Sequence, residues 1–240
     1  MEYSLDKFQC GLKKLKIDLS DYDLKNFLIY YEMLIEKNKV MNLTTITEFQ
    51  DVVEKHFLDS LSLVNSINLN QKLKVLDLGT GAGFPGIPLK IAFPKIDLVL
   101  MDSLNKRVLF LQEVIERLNL SGIIAVHGRA EELARNLMYR EKFDLCVSRA
   151  VANLSSLSEY CIPFVKQGGM FISYKSGEVE EEAAQAKKAI GLLGGEIVEL
   201  KKFQLAGTDI SRSFVKIKKN LKTPKSYPRK AGEPTKNPIN

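Results

Sequence analysis

Cysteine, histidine and long apolar runs are the scarce features of this 240-residue chain. The three cysteines, Cys10, Cys146 and Cys161, form no CxxC pair, and the two histidines, His56 and His127, stand far apart. That pattern argues against a metal site and predicts free, partly buried thiols in a reducing compartment. No apolar run approaches the roughly 18 residues that a membrane span needs. The opening stretch, MEYSLDKFQCGLKK, lacks the apolar core of a signal peptide, so a cytoplasmic location is expected. Internal repeats and low-complexity segments are absent ahead of the tail.

What the chain does have is an ordinary globular composition, 45% hydrophobic and 27% charged, and a concentration of positive charge at one end. Between Lys216 and Asn240 there are eight lysines or arginines and one glutamate, a net +7, against +6 for the whole chain. Residues 1–215 therefore sum to −1, and the basicity belongs to the tail. A polyanionic partner reached by the C-terminus is the expectation.

Residues 1–68 read as an N-terminal helical subdomain. Leu5, Phe8, Leu12 and Leu15 share one helix face. Ser20 is placed to cap a second helix whose stripe is Leu24, Phe27, Tyr31 and Leu34. A third helix is expected over 48–66, after a polar loop at 38–47. From Lys72 short apolar runs alternate with amphipathic stretches. Strands are predicted at 74–78, 97–102, 123–127, 143–148, 170–174, 196–200 and 214–218. A helix over 104–118 is expected to be capped by Ser103. Such alternation implies a mostly parallel sheet flanked by helices. The turn at 207–212 leaves no room for a crossover, so the last two strands should pair antiparallel. Seven strands ending in such a hairpin point to a methyltransferase-type sheet over 69–220, followed by a basic, proline-rich tail over 221–240.

The organising stretch is VLDLGTGAGFPGIPLKI, from Val75 to Ile91: strand, glycine turn, helix. Gly79, Gly81, Gly83 and Gly86 allow close backbone approach to a ligand, and the helix start offers free N–H groups. GAGFPG matches the dinucleotide pattern G-x-G-x-x-G, with Asp102 placed 19 residues past Gly83, so NAD is a rival ligand. Two features favour S-adenosylmethionine instead. Counted from Gly79, where the strand ends, the third glycine position holds Phe84. Asp77, before the first glycine, suits a cationic amino group and opposes a pyrophosphate. Asp102 is then expected to accept hydrogen bonds from ribose hydroxyls. Strand ends at His127–Glu132 and Ser148–Val151 should complete the pocket, with Ala130 and Glu131 near the adenine and Arg149 ordering a carboxylate or stacking on a base.

The motifs Asn42-Leu43-Thr44, His56-Phe57-Leu58-Asp59-Ser60, DLGTGAGFPGIP from Asp77, DSLNKRVLFL from Asp102, HGRAE from His127, SRAV from Ser148 and YPRKAG from Tyr227 resemble, nearly end to end, the RsmG (GidB) family. That resemblance implies a class I S-adenosylmethionine-dependent methyltransferase with a Rossmann-like sheet, acting on guanine N7 of 16S ribosomal RNA. It implies cofactor contacts at Gly79, Phe84, Ala130, Glu131 and Arg149, beside Asp77, Gly81 and Asp102 named above. It also accounts for the lack of an acid–base pair, because guanine N7 carries a lone pair and no proton. The RNA is expected on the tail, through Lys225, Arg229, Lys230 and Lys236 in an extended strap too proline-rich for a helix, with Tyr227 stacking on a base. Arg212, Lys106, Arg107 and Lys175 would extend that surface. Truncation after Asn220 is expected to weaken RNA binding and spare the cofactor.

Overall fold

The N-terminal third forms two regular helices, α1 (Asp6–Leu15) and α2 (Asp21–Met41), in the computed structural model, which describes residues 3–149 and 152–239. Ala150 and Val151, the end of the SRAV run, lie outside the described residues. Helix α2 starts at a reciprocal capping box: Ser20 accepts from the Asp23 amide and Asp23 accepts from the Ser20 amide. The expected single helix over 48–66 is instead broken into α3 (Phe49–Val52), a π-helical turn (Val53–Leu58), α4 (Asp59–Leu61) and a 3₁₀ turn (Ser62–Asn65). Close packing accompanies the break. A Cβ on Gly11 of α1 would come within 2.4 Å of the Leu58 side chain, so the two elements touch backbone to side chain.

The seven expected strands are all present: β1 (Lys74–Leu78), β2 (Asp97–Asp102), β3 (Ile123–His127), β4 (Phe143–Ser148), β5 (Val165–Ser176), β6 (Gly195–Gln204) and β7 (Ser211–Lys219). The last three run longer than apolar patterning marked, because exposed polar residues alternate along the β6–β7 hairpin. Strand order is β3-β2-β1-β4-β5-β7-β6, with β7 antiparallel to both neighbours. Helices α5 (Gly86–Ala92), α6 (Asn105–Arg117), α7 (Ala130–Leu133), α8 (Leu154–Cys161), α9 (Glu180–Leu192) and α10 (Glu233–Lys236) fill the connections and the tail. Helix α6 is not capped by Ser103. The helix starts after Leu104 with no side-chain cap, and Asp102 Oδ1 accepts from the Leu104 amide at 2.9 Å just ahead of its first turn.

Two apolar layers cover the sheet. Phe8, Phe27, Tyr30 and Phe57 from the N-terminal helices join Val75, Leu100, Val147 and Tyr174 on one face, with α5 and α6. On the other, Leu76, Cys146 and Phe171 pack against α8 and α9. The N-terminal helices thus share a core with the sheet. Cys146 and Cys161 are buried and Cys10 is exposed, all three as free thiols. Among the described residues no helix is long and apolar enough to cross a membrane.

Candidate functional site

Strand order reverses between β1 and β4, and a cavity of about 680 Å³ opens there beyond the strands' carboxyl ends. That is where open α/β sheets take ligands, and the volume lies in the usual ligand-pocket range of roughly 300–1,000 Å³. Its floor is the glycine turn, held by a web of short hydrogen bonds. Gly79 N donates to the Met101 carbonyl (2.8 Å), Gly81 N to Asp102 Oδ2 (2.9 Å), and Tyr30 Oη to the Ala82 carbonyl (2.7 Å). Gly81 has φ +62° and open space where a Cβ would stand, so its backbone is bared to the cavity.

Asp77 acts beneath this floor. Fully buried, it accepts from Thr80 Oγ1 (2.6 Å) and from the Gly86 amide (2.8 Å) through Oδ2, while Oδ1 has no partner among the described residues. Burial pushes its carboxyl up to about 7, against the opposing pull of those two hydrogen bonds. The expectation of a direct cofactor contact at Asp77 is therefore corrected: it does not line the cavity. Its side chain occupies the N-terminal amide of α5, the position a dinucleotide's pyrophosphate would need.

Gly79, Gly81, Phe84, Asp102, Ala130, Glu131 and Arg149 all line the cavity. Asp102 sits at the end of β2, 4% exposed, and each oxygen that accepts a backbone amide keeps a second lone pair. Arg107 approaches Asp102 Oδ2 at 3.5 Å. Phe84 is stacked by His56, with ring centroids 4.4 Å apart at 26°, and the Arg149 guanidinium lies 5.1 Å from the same ring.

Arg149 is fixed by the π-helical turn. There the Asp59 amide bonds to Glu54 and His56 carbonyls, leaving the Lys55 carbonyl to accept from Arg149 Nη1 at 3.0 Å. Nη1 also donates to Asp59 Oδ2 at 2.8 Å, and Nη2 lies 3.2 Å from His56 Nδ1. The His56 ring sits between these groups, with Nδ1 also 3.0 Å from the Lys55 carbonyl and Nε2 2.9 Å from Thr44 Oγ1. Burial first, and the Arg149 charge second, depress the imidazole to about 3, so it is neutral. The second Asp59 oxygen accepts from Arg212 Nε at 2.8 Å. One buried carboxylate thus holds two arginines, one from the end of β4 and one from β7. Arg212, expected on the RNA surface, is committed to this pairing, with its side chain 21% exposed.

The tail is not the free strap that its prolines implied. Arg140 donates to the carbonyls of Thr223, Pro224 and Tyr227, and Arg135 to that of Pro228. Arg229 is bound through its backbone N–H, Nε and Nη2 to Glu159 at 2.6–3.1 Å. Residues Glu233–Lys236 form one helical turn after all, since Pro234 falls in the first turn, where no N–H is missed. Lys225, Lys230 and Lys236 are exposed and carry no salt bridge among the described residues. Gly232 and Thr235 line the cavity beside Tyr160 of α8. Sequence patterning did not mark Tyr30, Thr44, Asp59, Glu159 or Tyr160 for these roles, because each acts on a partner distant in the chain.

Compared with known proteins, residues 23–214 match the model of the family described as GidB, rRNA small subunit methyltransferase G. A protein named Ribosomal RNA small subunit methyltransferase G from Lachnoclostridium phytofermentans is 57% identical over 229 residues, 95% of each chain. One of the same name from Clostridium novyi is 44% identical over 98% of this chain and 96% of its own. Among solved structures, M. jannaschii TYW2 in complex with AdoMet superposes with a TM-score of 0.55 at 15% identity, covering 73% of this chain and 79% of that one. A SAM-dependent methyltransferase from Aquifex aeolicus gives 0.52 at 15% identity, over 70% and 92%. The fold is the Rossmann-like sheet of class I S-adenosylmethionine methyltransferases.

Proposed function

Because the chain belongs to the GidB family, we propose that the cavity at the β1–β4 switch binds S-adenosylmethionine and that the enzyme methylates guanine N7 in 16S ribosomal RNA. The observation that carries this reading is the meeting, in one cavity, of the bared Gly81 turn, the Asp102 and Glu131 carboxylates and the anchored Phe84–Arg149 pair. The residues fit this cofactor better than NAD. Asp77 already fills the helix N-terminus with a carboxylate, whereas Asp102 retains acceptor capacity for ribose hydroxyls.

When bound, the cofactor supplies a methyl group on a sulfonium. This chain's residues align that group with an attacking lone pair. Guanine N7 has no proton to lose, so no general base is required. Alignment of two bound reactants provides about 7–11 kcal/mol of barrier reduction at best. Gly79 and Gly81 bring backbone against the cofactor. Phe84, backed by His56 and Arg149, gives an aromatic wall, and the neutral imidazole adds no repulsion toward a sulfonium.

Exposed Lys225, Lys230 and Lys236 give the substrate a cationic approach beside the cavity, while Arg229 and Arg212 support it from within their ion pairs. In this reading residues 1–68 buttress the cofactor floor, 69–220 carry the sheet and 221–240 form the RNA-facing edge. The place of action is the cytoplasm, on the small ribosomal subunit. The test is to incubate the protein with labelled S-adenosylmethionine and unmodified small subunits or naked 16S RNA, and to map the modified base. Label at guanine N7 is expected. Absence of label, or label on another atom, rejects the assignment, and saturable NAD binding would favour the dinucleotide reading.

A further inference from the structure

The C-terminal segment has an inner and an outer face. Its inner face closes the cavity: Gly232 N donates to Glu131 Oε1 at 2.8 Å, and Gly232 and Thr235 contribute to the wall. Gly232 has φ +81°, so the amide is aimed by a conformation that favours glycine. Three residues of α8 hold the segment in place. Ser156 Oγ donates to the Pro234 carbonyl at 2.7 Å, Tyr160 Oη pairs with Thr235 Oγ1 at 2.7 Å, and Glu159 binds Arg229. The Glu159 side chain is 1% exposed and Arg229 is its ionic partner. Without that arginine the carboxylate would be a buried charge with no compensation. The outer face carries the exposed Lys225, Lys230 and Lys236.

From this geometry we infer that Arg229 and Glu159 are positioning residues for the cofactor site: they latch the tail as a wall that orients Glu131, and so couple RNA binding to cofactor binding. The inference rests on the cofactor reading given above. Polyanion that binds the outer lysines more tightly when the tail is latched favours the same state that completes the cavity, by its difference in affinity for the two states. Linkage makes the effect reciprocal, each ligand tightening the other by the same factor. Arg229 serves here as a half-buried latch paired with the buried Glu159, and its contribution to RNA binding is indirect. Truncation after Asn220 accordingly removes a cofactor wall as well as an RNA contact, contrary to the expectation from sequence.

The experiment measures S-adenosylhomocysteine affinity by calorimetry on the full chain, with and without 16S RNA, alongside melting curves. Arg229→Ala is expected to weaken cofactor affinity by at least tenfold, with Arg229→Lys partly restoring it. Steady-state kinetics should show a raised cofactor KM with a smaller change in kcat. Changing Lys225, Lys230 and Lys236 together to glutamine should leave cofactor affinity without RNA unchanged, and abolish its enhancement by RNA. Should Arg229→Ala fail to fold, Ser156→Ala, which removes one tail anchor outside the cavity, decides with an expected loss of about threefold. Wild-type binding separates the two readings. If wild type does not bind S-adenosylhomocysteine, the cofactor assignment fails. If it binds and the folded latch variant binds equally well, the latch alone is overturned, as it also is if RNA leaves wild-type cofactor affinity unaltered.

Discussion

Replacing Asp59 by asparagine keeps the side chain's shape and removes one negative charge from between two guanidinium groups. Asp59 is 4% exposed at its side chain, with Arg149 Nη1 and Arg212 Nε each 2.8 Å from its oxygens. Hydrogen bonds to charged groups contribute about 1.5–3 kcal/mol apiece, and two are weakened here. Asparagine still offers one acceptor, but its amide would face a guanidinium, donor against donor. Removing one partner of a buried pair costs about 3–5 kcal/mol, and the partial exposure of both arginines, 20% and 21%, favours the lower end. For a chain of this size each kcal/mol moves Tm by roughly 2–4 °C, so a fall of roughly 6–12 °C is expected. Because Arg149 lies over Phe84, cofactor affinity should fall as well. The assay is differential scanning calorimetry with cofactor titration on Asp59→Asn, Arg212→Gln and the double variant. Coupling of about 0.5–3 kcal/mol between the two sites is expected. A melting point within 2 °C of wild type, or additive losses, would refute the view that this carboxylate organises both arginines.

Acid should destabilise the protein through His56. Its folded-state value near 3 lies below the ordinary 6.5, so its stabilisation is complete above pH 6.5 and is lost as pH falls toward 3. The ceiling is about 5 kcal/mol. Because Asp77 acts in the opposite sense, urea titrations at pH 7 and pH 5 should show His56→Gln gaining more stability on acidification than wild type, and an identical difference in both counts against it. Asp77 works oppositely. Raised to about 7 from 3.8, it favours the fold most below pH 4 and loses that contribution as pH rises through 7. Asp77→Asn should therefore leave the His56 effect unopposed, so that stability falls more from pH 8 to pH 5 than in wild type, and an unchanged profile would show that Asp77 does not titrate there. Two glycine substitutions separate fold from site. The methyl of Gly86→Ala would meet Leu100 Cδ2 at 2.2 Å and Asp77 Oδ2 at 2.8 Å, so melting should drop markedly. Gly81→Ala meets nothing within 4 Å at φ +62° and should cost about 1–2 kcal/mol of strain. Its methyl projects into open space, so its main loss should be in cofactor affinity, and equal melting losses for the pair would contradict the assignment.

Much of the fold was legible because it is written in local chemistry. Ser20 specified the N-cap of the second helix, and the apolar run ending at Leu78 followed by glycines specified strand, turn and helix. The 207–212 turn specified the antiparallel ending. Where local signals were weak or misleading, the reading failed for physical reasons. Ser103 looked like a cap, but the helix begins one residue later than expected, at Asn105, with Leu104 in the N-cap position and no side-chain cap. The 48–66 stretch has helical periodicity throughout, and nothing in that period reveals that tertiary packing widens it into a π-turn at Val53–Leu58.

The sequence by itself determined the order of strands and helices, the glycine turn, the strand-end carboxylate at Asp102 and the net charge of the tail, since each depends on neighbours in the chain or on composition. Only the tertiary structure decided which carboxylate meets which cation. Asp59 reaches Arg149 across 90 residues and Arg212 across 153, and Glu159 reaches Arg229 across 70. Such pairings depend on burial and on which loops the sheet brings to its carboxyl edge. Asp77 therefore lies beneath the floor rather than in the cavity, and a proline-rich basic tail becomes one of its walls.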